Sequence, residues 1–192
     1  MHKGRMEAFS DGVLAIIITI MVLELEAPHE TTPQALLPIM PVFLGYVLSF
    51  AYVGIYWNNH HHLLQTAKET NGRVLWANML LLFFLSLIPF ATAWMGRTHF
   101  AAWPMLLYAT VLLMAGLSYY VLVRALISLH GSDSTLARAV GKDNKGKISL
   151  VLYLLAMATA LIAPLLAGAL LILVAVMWLI PDRRIENELR RA

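Results

Sequence analysis

Five long apolar runs limit what this chain can fold into before any single side chain is weighed. A helix rises about 1.5 Å per residue, so crossing a hydrocarbon layer of roughly 30 Å takes about 20 predominantly apolar residues. Four runs fit that requirement: Ala8 to Leu25, Leu36 to Trp57, Val74 to Met95 and Ala101 to Val123. The last block, Ile148 to Ile180, is too long for one ordinary crossing and carries Pro164 and Gly168 near its middle, where a helix can stop and reverse. It reads as two shorter spans, 148–163 and 166–180. With 60% hydrophobic and 13% charged residues and a mean hydropathy of +0.72, the chain is expected to be one all-α membrane domain over residues 1–192, with six transmembrane helices.

The first run continues through Leu25 with no small-residue cleavage site, so it reads as a retained helix and not a secretory signal. No cysteine is present, which excludes disulfides, thiolate metal sites and a cysteine nucleophile. The net charge of +3 does not call for a nucleic acid, because the basic residues gather in the loops on one side of the expected spans. Lys3 and Arg5 precede the first span; Lys68 and Arg73 lie between the second and third; Arg124, Arg138, Lys142, Lys145 and Lys147 lie between the fourth and fifth; Arg183, Arg184, Arg190 and Arg191 follow the last. Arg97 alone falls on the opposite side, where the loop after the first span carries Glu24, Glu26 and Glu30. A multi-pass protein of the cell membrane, in contact with lipid throughout and with both termini cytoplasmic, is the expectation. The linker from His130 to Lys147 reads as a basic loop, and the tail from Pro181 as a short charged helix or a frayed, solvated end.

On the first helix, Ile16, Thr19, Ile20 and Leu23 share one stripe, with Gly12 below them. Such a stripe is the common signature of helix packing in a membrane bundle. Asp11 points well away from it, toward the protein interior, because an ionisable group facing lipid is costly. Arg5, Ser10 and Asp11 fit two roles: capping the helix start, or pinning the helix to a neighbour through charge-assisted hydrogen bonds. Candidate partners stand in Tyr56 to His62, "YWNNHHH", where an imidazole can reach the Asp11 region and Trp57 can sit at headgroup level. Three consecutive histidines on a helix point in different directions, which disfavours a shared metal ion. A histidine beside an aspartate is also a candidate pH sensor.

Three blocks together carry a family likeness: "R-x-x-x-F-S-D-G-V-x-A-I" from Arg5 to Ile16, "Y-W-x-x-H-H" from Tyr56 to His61, and "N-x-L-L-L-x-F-x-S-L-I-P-F" from Asn78 to Phe90. In these the chain resembles the prokaryotic branch of the transmembrane protein 175 family of potassium channels. The resemblance implies a six-span subunit forming a homotetramer whose first helices line a central pore. It maps the pore constriction onto Ile16, Thr19, Ile20 and Leu23. It assigns Arg5, Phe9, Ser10 and Asp11 to a structural polar network, with Trp57 and His60 or His61 as partners. It implies no cofactor and no bound metal beyond the permeant potassium ion.

Under that resemblance, Ile16 and Leu23 would form apolar rings about 10 Å apart along the axis, gating by dewetting, with weak to moderate preference for potassium. Glu24, Glu26 and Glu30 would either concentrate cations at the outer mouth or remain merely solvated. The rivals are an ion-coupled secondary transporter, disfavoured because the span middles hold no charged residue, and a non-conducting integral membrane protein. An enzyme is not expected: Ser49, Ser86 and Ser118 have no base or acid nearby in sequence.

Overall fold

Every apolar run is helical, and most helix ends reach beyond the span limits read from hydropathy. The computed structural model describes residues 3–141 and 143–180; Lys142 and the tail from Pro181, with its four arginines, lie outside the described residues. In chain order the elements are α1 (Gly4–Leu23), a 3-10 segment (Pro33–Ile39), α2 (Met40–Thr66), α3 (Gly72–Ser86), α4 (Ile88–Arg97), α5 (Ala102–His130), α6 (Thr135–Val140), α7 (Asn144–Ala160) and α8 (Pro164–Leu179). No strand occurs among the described residues.

Four rods are long and apolar enough to cross a membrane: α1, the 3-10 segment with α2, α3 with α4, and α5. Several boundaries depart from the expectation for identifiable reasons. α2 runs through the histidines to Thr66 and α5 runs to His130, because their polar ends remain helical past the apolar stretch. The third span is broken at Leu87, where Pro89 supplies no backbone N–H to continue the ladder. The linker after α5 is not wholly a loop: Ser134 caps α6 by accepting a 3.2 Å bond from the Ala137 amide. The reversal in the last block comes at 161–163, with Pro164 opening α8 as its first residue. Gly168 lies inside α8, where an added Cβ would stand 3.5 Å from Met105.

α5 is the central post, packing on α3, α4, α7 and α8, while α1 sits at one side against α2, α3 and α4. In an apolar interior every polar group needs a partner, and the core meets this with a directed chain. Thr92 Oγ1 donates to the Ile88 carbonyl (2.7 Å); Ser49 Oγ therefore donates to Thr92 (2.6 Å), and Tyr108 OH to Ser49 (2.8 Å). This one chain ties α2, α4 and α5. Tyr52 OH donates to the Leu171 carbonyl at 2.6 Å and joins α2 to α8. The α2–α4 crossing is closest at Gly96, where an added Cβ would lie 2.7 Å from Val42 Cα.

Candidate pore face and its polar bracket

α1 divides its surface between two stripes. Met6, Ser10, Leu14, Ile17 and Met21, spaced three and four apart, are buried against α2, α3 and α4. The opposite stripe faces out of the protomer: Ile16 is 58% exposed, Ile20 44% and Leu23 78%, and Thr19 is exposed beside them. Apolar side chains with no cover inside their own subunit face lipid or another chain. Thr19 Oγ1 donates a 2.9 Å bond to the Ile16 carbonyl. Ile16 and Ile20 also border a groove between α1 and α4, closed on the far side by Phe90 and Trp94, whose rings stack at 6.4 Å.

The rotation of α1 is fixed from behind by two polar clusters. The first is fully buried. His60 Nε2 and Asn78 Oδ1 lie 2.8 Å apart, Asn78 Nδ2 donates to Ser10 Oγ at 2.9 Å, and Ser10 Oγ donates to the Met6 carbonyl at 2.8 Å. Because the amide oxygen accepts, His60 carries its proton on Nε2, and its buried Nδ1 has no partner among the described residues. The second cluster is more open: Trp57 Nε1 donates to Asp11 Oδ1 at 3.0 Å, and the Trp57 and His61 rings stack at 5.8 Å. His61 Nδ1 faces Glu7 Oε1 at 3.5 Å, while its Nε2 accepts from Gln65 Nε2 at 2.8 Å. At the same end Lys3 Nζ donates to the last carbonyls of α2, Leu64 (2.5 Å) and Gln65 (3.3 Å).

The expected residues thus separate into three sets. Ser10 with His60, and Asp11 with Trp57 and His61, are brought together. Arg5 and Phe9 are not: both are exposed, at positions that continue the outward stripe below Gly12, and Arg5 has no hydrogen bond or ion pair among the described residues. Ser10 and Asp11 are not caps either, since the helix begins at Gly4 and they lie in its second turn. Asn78, the link between Ser10 and His60, was not assigned a role from sequence, although an amide inside the apolar run "VLWANMLLLFFL" is the kind of residue that must find a buried partner. His60, His61 and His62 diverge, and among the described residues no three His, Asp or Glu side chains are grouped to hold a metal.

At the other end of α1 the acidic loop is partly neutralised. Arg97 donates to Glu24 Oε2 at 2.8 Å and lies 3.5 Å from Glu26 Oε1. Of the three carboxylates expected either to concentrate cations or to remain merely solvated, Glu24 and Glu26 thus stand against Arg97, and Glu30 is exposed.

Comparison with known proteins gives a consistent result. The family model described as the endosomal/lysosomal potassium channel TMEM175 matches residues 5–89, which hold both stripes and both clusters. A potassium channel of a Chryseobacterium species is 53% identical over 190 residues, 99% of each chain. The mouse endosomal/lysosomal proton channel TMEM175 is 34% identical over 103 residues, 47% of this chain and 21% of that one. Among solved structures, the crystal structure of a lysosomal potassium-selective channel TMEM175 homolog from Chamaesiphon minutus superposes with a TM-score of 0.79 at 30% identity, covering 92% of this chain and 96% of that one. These are ion channels and not enzymes, and the chain is a multi-pass, all-helical member of the TMEM175 family.

Proposed function

We propose that four copies of this chain assemble around a central axis and pass potassium ions passively down their gradient, with α1 lining the path. The observation that carries this reading is the bare outward stripe of α1, Ile16, Thr19, Ile20 and Leu23, on a helix whose opposite face is locked by Ser10 and Asp11. A helix held in a fixed rotation with an uncovered apolar edge is suited to meeting equivalent edges. Four Leu23 and four Ile16 side chains would then make apolar rings about 10 Å apart, seven residues at 1.5 Å each. Narrow rings exclude water and block ions; slightly wider rings pass a partly dehydrated one. Potassium sheds water more readily than sodium, so the preference is expected to be weak to moderate, below that of a carbonyl filter. No cofactor is required.

In this reading α7 and α8 supply the fifth and sixth crossings. At 17 and 16 residues each reaches about 25 Å, short for an average bilayer. The basic end of the bundle, with Lys3, Lys68, Arg73 and Arg124, faces the cytoplasm of a cell membrane, and both chain termini lie there.

Potassium flux from liposomes containing the purified protein tests the assignment. Flux is expected without any coupled ion, and Ile16→Asn should raise leak or alter the potassium-to-sodium ratio. Unchanged conductance and selectivity in that variant would remove α1 from the pore, and a strict dependence on a second ion would favour a coupled transporter.

A further inference from the structure

A second feature lies away from α1, at the basic end of the bundle. Arg73, in the first turn of α3, and Arg124, near the end of α5, border one groove together with Asn71, Tyr120 and Ser128. Neither arginine makes an ion pair or a hydrogen bond among the described residues, and no aspartate or glutamate lines the groove among them. Two uncompensated guanidinium groups around one cleft repel each other and attract an anion.

The wall is held in place. His130 Nε2 accepts from the backbone N–H groups of Lys68 (3.0 Å) and Glu69 (3.4 Å), while its Nδ1 donates to the Leu126 carbonyl at 2.9 Å. The turn before α3 is thereby fastened to the end of α5, which sets the position of Arg73 relative to Arg124. Asn71 Oδ1 takes the Val74 amide at 3.0 Å, and the earlier amides of that turn point to the same end of α3.

What lies next to the groove identifies the class of anion. Trp76, three residues after Arg73, is 77% exposed, and Val121 is 45% exposed on the α5 side. An exposed indole one turn below a cation is the pattern of a headgroup boundary, and the apolar side chains beyond it are suited to acyl chains. A free phosphate would use the arginines alone; a phospholipid would use both the arginines and this apolar wall.

We propose that the Arg73–Arg124 groove seats the phosphate of an anionic phospholipid, with Tyr120 and Ser128 offering hydroxyl donors and the acyl chains lying along Trp76 and Val121. The readout involves no ion flux, so the proposal stands or falls separately from the channel assignment. Native mass spectrometry of the purified protein in detergent, titrated with phosphatidylglycerol or phosphatidylcholine, is the test. Wild type is expected to favour phosphatidylglycerol roughly thirtyfold, in line with two basic residues near a charged headgroup. R73Q/R124Q should bring the two lipids close to equal, and R73K/R124K should keep most of the preference. Equal binding of both lipids by wild type overturns the proposal. So does a retained preference in R73Q/R124Q, or in R124Q alone should the double variant not purify folded. Inorganic phosphate raising the thermal stability of the lipid-free protein as much as phosphatidylglycerol does would overturn the lipid assignment.

Discussion

The indole N–H of Trp57 donates to the carboxylate of Asp11 across the α1–α2 contact at 3.0 Å, at a site that is still partly open to solvent. One residue earlier on the same helix, Ser10 is fully buried beneath Asn78. The two bonds act on adjacent residues of α1 from different directions, and together they resist rotation of the helix about its own axis. Trp57→Phe keeps the ring stacking on His61 and removes only the donor. The partial exposure of the bond limits the expected cost to about 1 kcal/mol, read as a small fall in thermal stability in detergent, with a larger change in conductance than in stability.

Asn78→Leu is expected to be far more damaging to folding. It deprives His60 Nε2 of its acceptor and Ser10 Oγ of its donor in the buried core, at about 1–3 kcal/mol for each group left unmatched. Thermal unfolding and the yield of assembled protein would record it. A variant as stable as wild type would mean that the cluster does not hold α1.

Leu14 and Leu23 lie nine residues apart on α1 with opposite exposures, 2% and 78%. Leu14→Ala removes a buried side chain and should cost about 2–5 kcal/mol of stability, with selectivity unaltered in the protein that survives. Leu23→Ala should leave the protomer nearly as stable and change ion flux. Paired measurements of unfolding and liposome flux check this double dissociation; the reverse pattern would contradict the proposed pore face.

Gly96→Ala should push α2 and α4 apart, because its Cβ would stand 2.7 Å from Val42 Cα, a backbone atom that cannot swing aside. A loss of about 1–3 kcal/mol is expected. Gly54→Ala, with open space around the added methyl, provides the comparison and should be close to neutral.

Arg97→Gln probes the outer end of α1. The Arg97 side chain is 56% exposed and that of Glu24 35%, so the lost ion pair should cost under about 1 kcal/mol. Releasing Glu24 and Glu26 should raise cation flux at low ionic strength, and the gain should fade as salt screens the carboxylates.

How much of this was legible in the sequence depends on which force set each feature. The outward stripe of α1 was legible because helical spacing alone puts residues 16, 19, 20 and 23 on one face. Its exposure was not, since an apolar stripe looks the same whether it meets its own subunit or something else. The run "WNNHHH" looked like a span end, yet α2 continues through it: His60 points inward to Asn78 and His61 back to Glu7 and Trp57. Proximity and charge group Arg5 with Asp11 in the sequence, but six residues along a helix put the two well apart around the axis, and Arg5 continues the outward stripe. The break at Leu87 was hidden inside a continuous apolar run that hydropathy reads as one rod.

The hydroxyl proton of Thr19 is already committed to the carbonyl of Ile16. What this side chain turns outward is oxygen lone pairs without a hydrogen. In the proposed assembly four such oxygens would face one another between the apolar rings, ready to replace a departing water on a cation and unable to donate to chloride. Sign discrimination would then follow from the orientation of a single O–H bond, with no formal charge on the lining.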